Sequence, residues 1–138
     1  MKDPNSILIG CDDNSVLFTL IQNIKGLKHY NALTASRMID VINLTNVSQP
    51  RIVILCFKNN QEALNSLLTV LPNFKAPVMC LLRAQEAARF KWPDNKIVFT
   101  QQLEHVLKSP FLVPRLRSLL LTIQQKIANK PLRRSVSL

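Results

Sequence analysis

The sequence predicts an α/β fold, a five-stranded parallel sheet of order 2-1-3-4-5 with helices on both faces. Three observations carry that expectation. Short apolar runs alternate with longer segments of helical period, which is the pattern of repeated β-α units. The clearest runs, Ile52-Val53-Ile54-Leu55 and Val78-Met79-Cys80-Leu81-Leu82, are apolar without interruption, as strands buried on both faces require. The chain has 138 residues, 47% of them apolar, which suits one domain around one sizeable core.

In chain order, Ile7-Leu8-Ile9 reads as a buried strand. Val16, Leu17, Leu20, Ile21 and Ile24 then recur at helical spacing, behind a cap at Asn14 or Ser15 and ahead of a left-handed stop at Gly26. Tyr30 to Thr34 makes a weak second strand. Ser36 caps the next helix, with Met38, Ile39, Ile42 and Leu44 facing inward, and Pro50 closes the connection. Arg51 to Cys56 is the third strand. A helix follows with Leu64, Leu67, Leu68 and Leu71 on one stripe, stopped by Pro72. Pro77 to Leu82 is the fourth strand, and Arg83 to Phe90 a short basic helix. Lys96 to Thr100 has the composition of a fifth strand. Pro114 opens a last helix carrying Leu116, Leu119, Leu120, Ile123 and Ile127 on one face, and residues 129–138 have the composition of a basic, flexible tail.

Composition removes several function classes. The two glycines, Gly10 and Gly26, cannot build a Walker loop or a dinucleotide fingerprint. Three widely spaced cysteines, Cys11, Cys56 and Cys80, show no paired short spacing, and the two histidines lie far apart, so a structural zinc site is not indicated. No apolar run reaches the ~20 residues needed to span a bilayer, and the opening apolar stretch is too short for a secretory signal. A cytoplasmic protein with reduced thiols is the expectation. The formal charge is +10, and seven of the 18 basic residues but none of the eight acids lie beyond Glu104. That basic end suits an anionic partner.

On a doubly wound sheet of this order, which is flavodoxin-like, ligands sit beyond the carboxyl ends of the strands at the switch point, here between strands one and three. The topology delivers Cys11, Asp12 and Asp13 there, together with Cys56 and Phe57. Adjacent carboxylates at such a point suit a hard divalent cation. The same Asp-Asp-Asn run also suits helix capping, because carboxylates are favourable at a helix N-terminus.

These residues carry a resemblance. Leu8-Ile9-Gly10-Cys11-Asp12-Asp13-Asn14 resembles the acidic first-strand motif of two-component response-regulator receiver domains, and Pro50 to Cys56 resembles their third strand, which ends in the phosphate-accepting aspartate. Ala76 to Leu82 is similar to their fourth strand. Lys108-Ser109-Pro110-Phe111 looks like their Lys-Pro-Phe signature with one residue inserted. The similarity covers about Ser6 to Gln125 and implies a receiver-like domain over residues 1–128. If Val106-Leu107 were the fifth strand, Lys108 would fall where the family places its lysine.

The departures are chemical. The acidic pair maps onto Asp12 and Asp13, the acceptor aspartate onto Cys56, and the hydroxyl residue of strand four onto Leu82. The resemblance implies a magnesium seat at Asp12 and Asp13, weakened because a thiol replaces a hard oxygen ligand and its charge. It therefore implies a degenerate receiver, or pseudo-receiver: a signalling module that is not an enzyme and is not activated by aspartyl phosphorylation. Such a module works by protein-protein interaction, through a basic face of Arg83, Arg89, Lys91, Arg115 and Arg117 that suits a signalling protein with an acidic surface.

Two alternatives remain open at this level. The basic C-terminal region, Lys126 to Arg134, binds nucleic acid or another anionic partner through phosphate contacts, although no groove-entering motif is present. Cys56 serves as a nucleophilic or redox thiol, which requires a lowered pKa that neighbouring carboxylates oppose. Cys11 and Cys56 fall on strands expected to be neighbours, so geometry decides whether they can pair.

Overall fold

The computed structural model describes residues 5–24, 30–94, 96–108, 118 and 121. Within them the order is β1 (Ser6–Cys11), α1 (Asn14–Ile24), β2 (Asn31–Ala35), α2 (Met38–Ser48), β3 (Ile52–Cys56), α3 (Asn60–Val70), β4 (Val78–Leu82), α4 (Ala84–Ala87), β5 (Val98–Gln102) and α5 (Leu103–Lys108). The five strands form one sheet of order β2-β1-β3-β4-β5, and every neighbouring pair is parallel. This is the architecture and strand order expected from the sequence.

Alternation along the central strands divides the core. Ile7, Ile9 and Cys11 of β1 share one side of the sheet with Ile52, Ile54 and Cys56 of β3 and with Met79 and Leu81 of β4. That side is closed by Leu20 and Ile24 of α1 and by Leu103 and Val106 of α5. Leu8, Val53, Leu55, Val78, Cys80 and Leu82 point the other way, under Val41 of α2 and Ala63, Leu64 and Leu67 of α3. β1, β3 and β4 are buried on both faces along their whole length, which is why β3 and β4 are unbroken apolar runs and Ser6 is the one polar residue in β1.

Gly10 is required by a close approach. A Cβ there would lie 2.6 Å from Val41 Cγ2 and 2.9 Å from Phe57 Cε2. The missing side chain lets α2 and the Phe57 ring close over β1.

Several local expectations are corrected. α2 begins at Met38 with Arg37 as its N-cap and no side-chain cap bond, so Ser36 does not cap it. Its phase buries Val41 and Thr45 and leaves Ile39 61% exposed. Met38, Ile42 and Leu44 pack partly against the core. The buried Thr45 hydroxyl donates to Val41 O at 2.7 Å, so a polar residue occupies an inward position without an orphaned group. α4 is a single turn, leaving Arg83 at its N-cap and Arg89 and Lys91 beyond its end.

β5 is Val98 to Gln102, two residues later than the composition suggested, and Val106-Leu107 is helical. The aliphatic run at Val106 serves α5, where Leu103 and Val106 are buried one helical turn apart. Gly26 and residues 129–138 lie outside the described residues, and of the helix expected from Pro114 only Ser118 and Leu121 are described. No helix among the described residues is long and apolar enough to cross a membrane.

Candidate functional site

β1 and β3 end side by side, with Cys11 and Cys56 as register partners, and from this point both chains leave the sheet. Asp12 turns toward the β3-α3 loop, where its Oδ2 accepts the Lys58 backbone N–H at 3.1 Å. Asp13 turns toward α1: its Oδ1 accepts the N–H groups of Ser15 at 2.9 Å and Val16 at 3.2 Å, while its carbonyl accepts Leu17 N–H at 2.9 Å. Asp13 is thus the working cap of α1, in place of Asn14 or Ser15. Of the two expected carboxylates, one staples loops and the other satisfies helix N–H groups that have no intrahelical partner.

The two thiols form a buried pair, Cys11 being 0% and Cys56 1% exposed. The two thiols interact: Cys56 lowers the pKa of Cys11 against the opposing effect of burial and of the Asp12 and Asp13 carboxylates, while Cys11 and burial raise that of Cys56, with the Arg83 guanidinium pulling the other way. The Cys11 thiol donates to Asp13 O at 3.3 Å. Cys80 lies on the opposite side of the sheet, where burial and then the Glu86 carboxylate push it up to about 12.

Arg83 follows β4 directly, and its Nη1 lies 3.4 Å from Phe57 O, which brings the half-buried guanidinium beside the carboxyl end of β3. Leu82 is buried in the core on the α3 side of the sheet. Lys108 ends α5, a short helix beyond β5, and is exposed; the end of β5 delivers Gln101 and Gln102 instead. The structure therefore brings together Asp12, Asp13, Cys56 and Arg83, and leaves Lys108 at the end of a separate element. Arg89 and Lys91 are exposed, while Arg115 and Arg117 lie outside the described residues.

Sequence reasoning missed a polar cluster beside this site. Asn60, fully buried at the start of α3, accepts Phe57 N–H through Oδ1 at 2.8 Å and donates through Nδ2 to Leu81 O at 2.8 Å and Glu86 Oε1 at 3.0 Å. Glu86 Oε2 accepts Gln61 N–H at 2.9 Å. The Gln61 amide and the Lys91 backbone bond reciprocally at 3.1 and 2.7 Å. Asn59, one residue earlier, caps α3 by accepting Glu62 N–H at 3.0 Å. The Asn59-Asn60 pair ahead of a helical stripe was the available signal, but it marks a helix start and says nothing of a half-buried carboxylate partner.

The oxygen donors available to a cation at the switch point are those of Asp12 and Asp13, each with one oxygen already engaged. Cys56, at the end of β3 beside them, presents sulfur. Among the described residues no three His, Cys, Asp or Glu side chains gather as a metal-ligand set. His105 is exposed on α5.

No protein-family model matches the chain, and no curated protein matches it by sequence. Solved structures do match in fold. A two-component transcriptional regulator AraC from Clostridium phytofermentans ISDg is 18% identical with a TM-score of 0.61, over 90% of this chain and 98% of that one. A de novo designed Rossmann 2x3 protein is 15% identical with a TM-score of 0.56, over 75% of this chain and 84% of that one. RcsB, in a structure of two dimers bound to two parallel DNAs, is 12% identical with a TM-score of 0.57, over 98% of this chain and 71% of that one. At these identities the likeness is one of fold alone, the flavodoxin-like sheet of order 2-1-3-4-5.

Proposed function

We propose that the chain is a pseudo-receiver, a signalling module that acts by docking another protein and is not switched by aspartyl phosphorylation. The observation that carries this reading is Cys56. It stands at the carboxyl end of β3 where the receiver motif has its acceptor, buried beside Cys11, and its interaction with Cys11 together with burial raises the thiol's pKa. A neutral, buried thiol neither accepts a phosphoryl group as a carboxylate does nor supplies a hard oxygen to magnesium. With sulfur as the third donor and the aspartates engaged in capping and loop bonds, the donor set does not fit a receiver's magnesium.

The site's surroundings favour a fixed surface. A phosphorylation switch needs a two-state element that the arriving charge biases. Here the β3-α3 loop and α4 are tied through Asn60, Glu86 and Gln61. Arg89 and Lys91, exposed next to this tied segment, suit an acidic protein partner.

Incubation with acetyl phosphate and magnesium tests the reading. The expected result is an unchanged intact mass, and a phosphoryl adduct on Asp12 or Asp13 overturns it. RcsB is seen bound to DNA, so duplex DNA is the informative rival ligand. Binding to DNA that stays tight as salt is raised would favour nucleic-acid recognition over protein docking, because a purely basic surface loses phosphate affinity steeply with salt.

A further inference from the structure

We propose that Cys11 and Cys56 form a reversible intramolecular disulfide when the protein meets a peroxide, making the switch point a site of oxidative modification. The geometry supports it in three ways. The two residues are register partners at the ends of adjacent parallel strands. Neighbouring strands lie about 4.8 Å apart, within the roughly 4.4–6.8 Å over which Cα atoms accept a disulfide. Both side chains point to the same side of the sheet and belong to one packed cluster. The position is also terminal: beyond it the chains become the Asp12-Asp13 and Phe57-Lys58 loops, so closing the bond does not require a central strand to separate from its ladder.

The thiolate of one cysteine of the pair attacks one oxygen of hydrogen peroxide and breaks the O–O bond. That cysteine becomes a sulfenic acid, and the departing hydroxide takes up the proton that the thiol had released. The sulfur of the other cysteine, its register partner on the neighbouring strand, then attacks the sulfenic sulfur. Its proton leaves with the sulfenic hydroxyl as water, and the S–S bond forms. Overall two thiols are oxidised by two electrons and one peroxide is reduced to two waters. A small oxidant suits the site because both sulfurs are buried. A thiol reductant reverses the reaction by exchange.

Cys80 is the internal control, since it faces the opposite side of the sheet and its thiol is held protonated. This inference stands on the Cys11–Cys56 pairing alone and is independent of whether the protein docks a partner.

Treat the native full chain with hydrogen peroxide, denature it, alkylate the remaining thiols, and map the peptides. The expected result is loss of two of the three alkylatable thiols, a Cys11–Cys56 cross-linked peptide, alkylated Cys80, and recovery of all three thiols with dithiothreitol. A link involving Cys80, a disulfide between two chains, or three thiols that stay free while a control dithiol peptide oxidises would overturn it. In Cys11→Ser and Cys56→Ser variants shown by circular dichroism to be folded, the same treatment is expected to give no intramolecular link; a link between Cys80 and the remaining cysteine would overturn the pairing.

Discussion

Gly10 shows what one missing side chain permits. Its place between Val41 and the Phe57 ring leaves no room for a methyl group, the nearest contact being 2.6 Å. Gly10→Ala is expected to destabilise the protein by about 1–3 kcal/mol, the usual cost of overpacking a filled core, read as a lower urea midpoint with an unchanged slope. A variant as stable as the parent would mean that α2 shifts away freely. Cys56 and Cys11 make a second lesson at this scale. The motif positions singled out Cys56, and the structure makes it one of a buried pair with Cys11, its register partner on β1. Asp13 was open to either a cation or a cap, and its bonds to Ser15 and Val16 assign it to α1. Nothing in the order of residues states which N–H a carboxylate will meet.

At the scale of elements, α4 is one turn long and has no buried residue of its own. A helix this short is not stable by propensity, so its position depends on side chains reaching it from elsewhere. Glu86 supplies that link by accepting from both Asn60 Nδ2 and Gln61 N–H. Glu86→Gln replaces one acceptor with a donor that faces another donor. Faster amide hydrogen exchange over residues 83–91 is expected, with the rates of β1 and β3 unchanged. Equal protection in both proteins would show that packing of Phe90 alone holds the segment. The long amphipathic helices were legible for the complementary reason: α3 buries Leu64 and Leu67 from its sequence stripe, and periodicity of this kind survives in any tertiary context. α2 departed from its expected phase because Ile39, Ile42 and Val41 offer competing apolar faces, and packing against β1 selected the one containing Val41. β5 shifted by two residues because a strand at the sheet's edge is less constrained by composition.

For the whole molecule, stability against pH is set by groups that folding moves away from water. Lys96 donates to Phe74 O at 2.7 Å, and its ammonium lies 3.4 Å from the centre of the Phe74 ring. Burial nevertheless lowers its pKa from 10.5 to about 8. Between those values the unfolded chain binds more protons than the folded one, so this lysine makes stability rise as pH increases through that window. Below it the burial cost is fully present. Compared with Lys96→Met, the wild type is expected to gain in urea midpoint from pH 8 to 10.5; parallel curves would show that the lysine is solvated in the native state. The sequence by itself determined the fold class, the strand order and the places where loops could carry a site, because uninterrupted apolar runs and helical stripes leave few ways to bury themselves. It also placed Cys11, Asp12, Asp13 and Cys56 at the switch point where β1 and β3 end. Only the tertiary structure decided that Asp12 staples Lys58, that Arg83 turns toward β3, that Lys108 sits beyond the sheet on α5, and that Asn60 and Glu86 tie two loops together. Those outcomes depend on directional bonds between residues distant in sequence, and periodicity carries no information about direction.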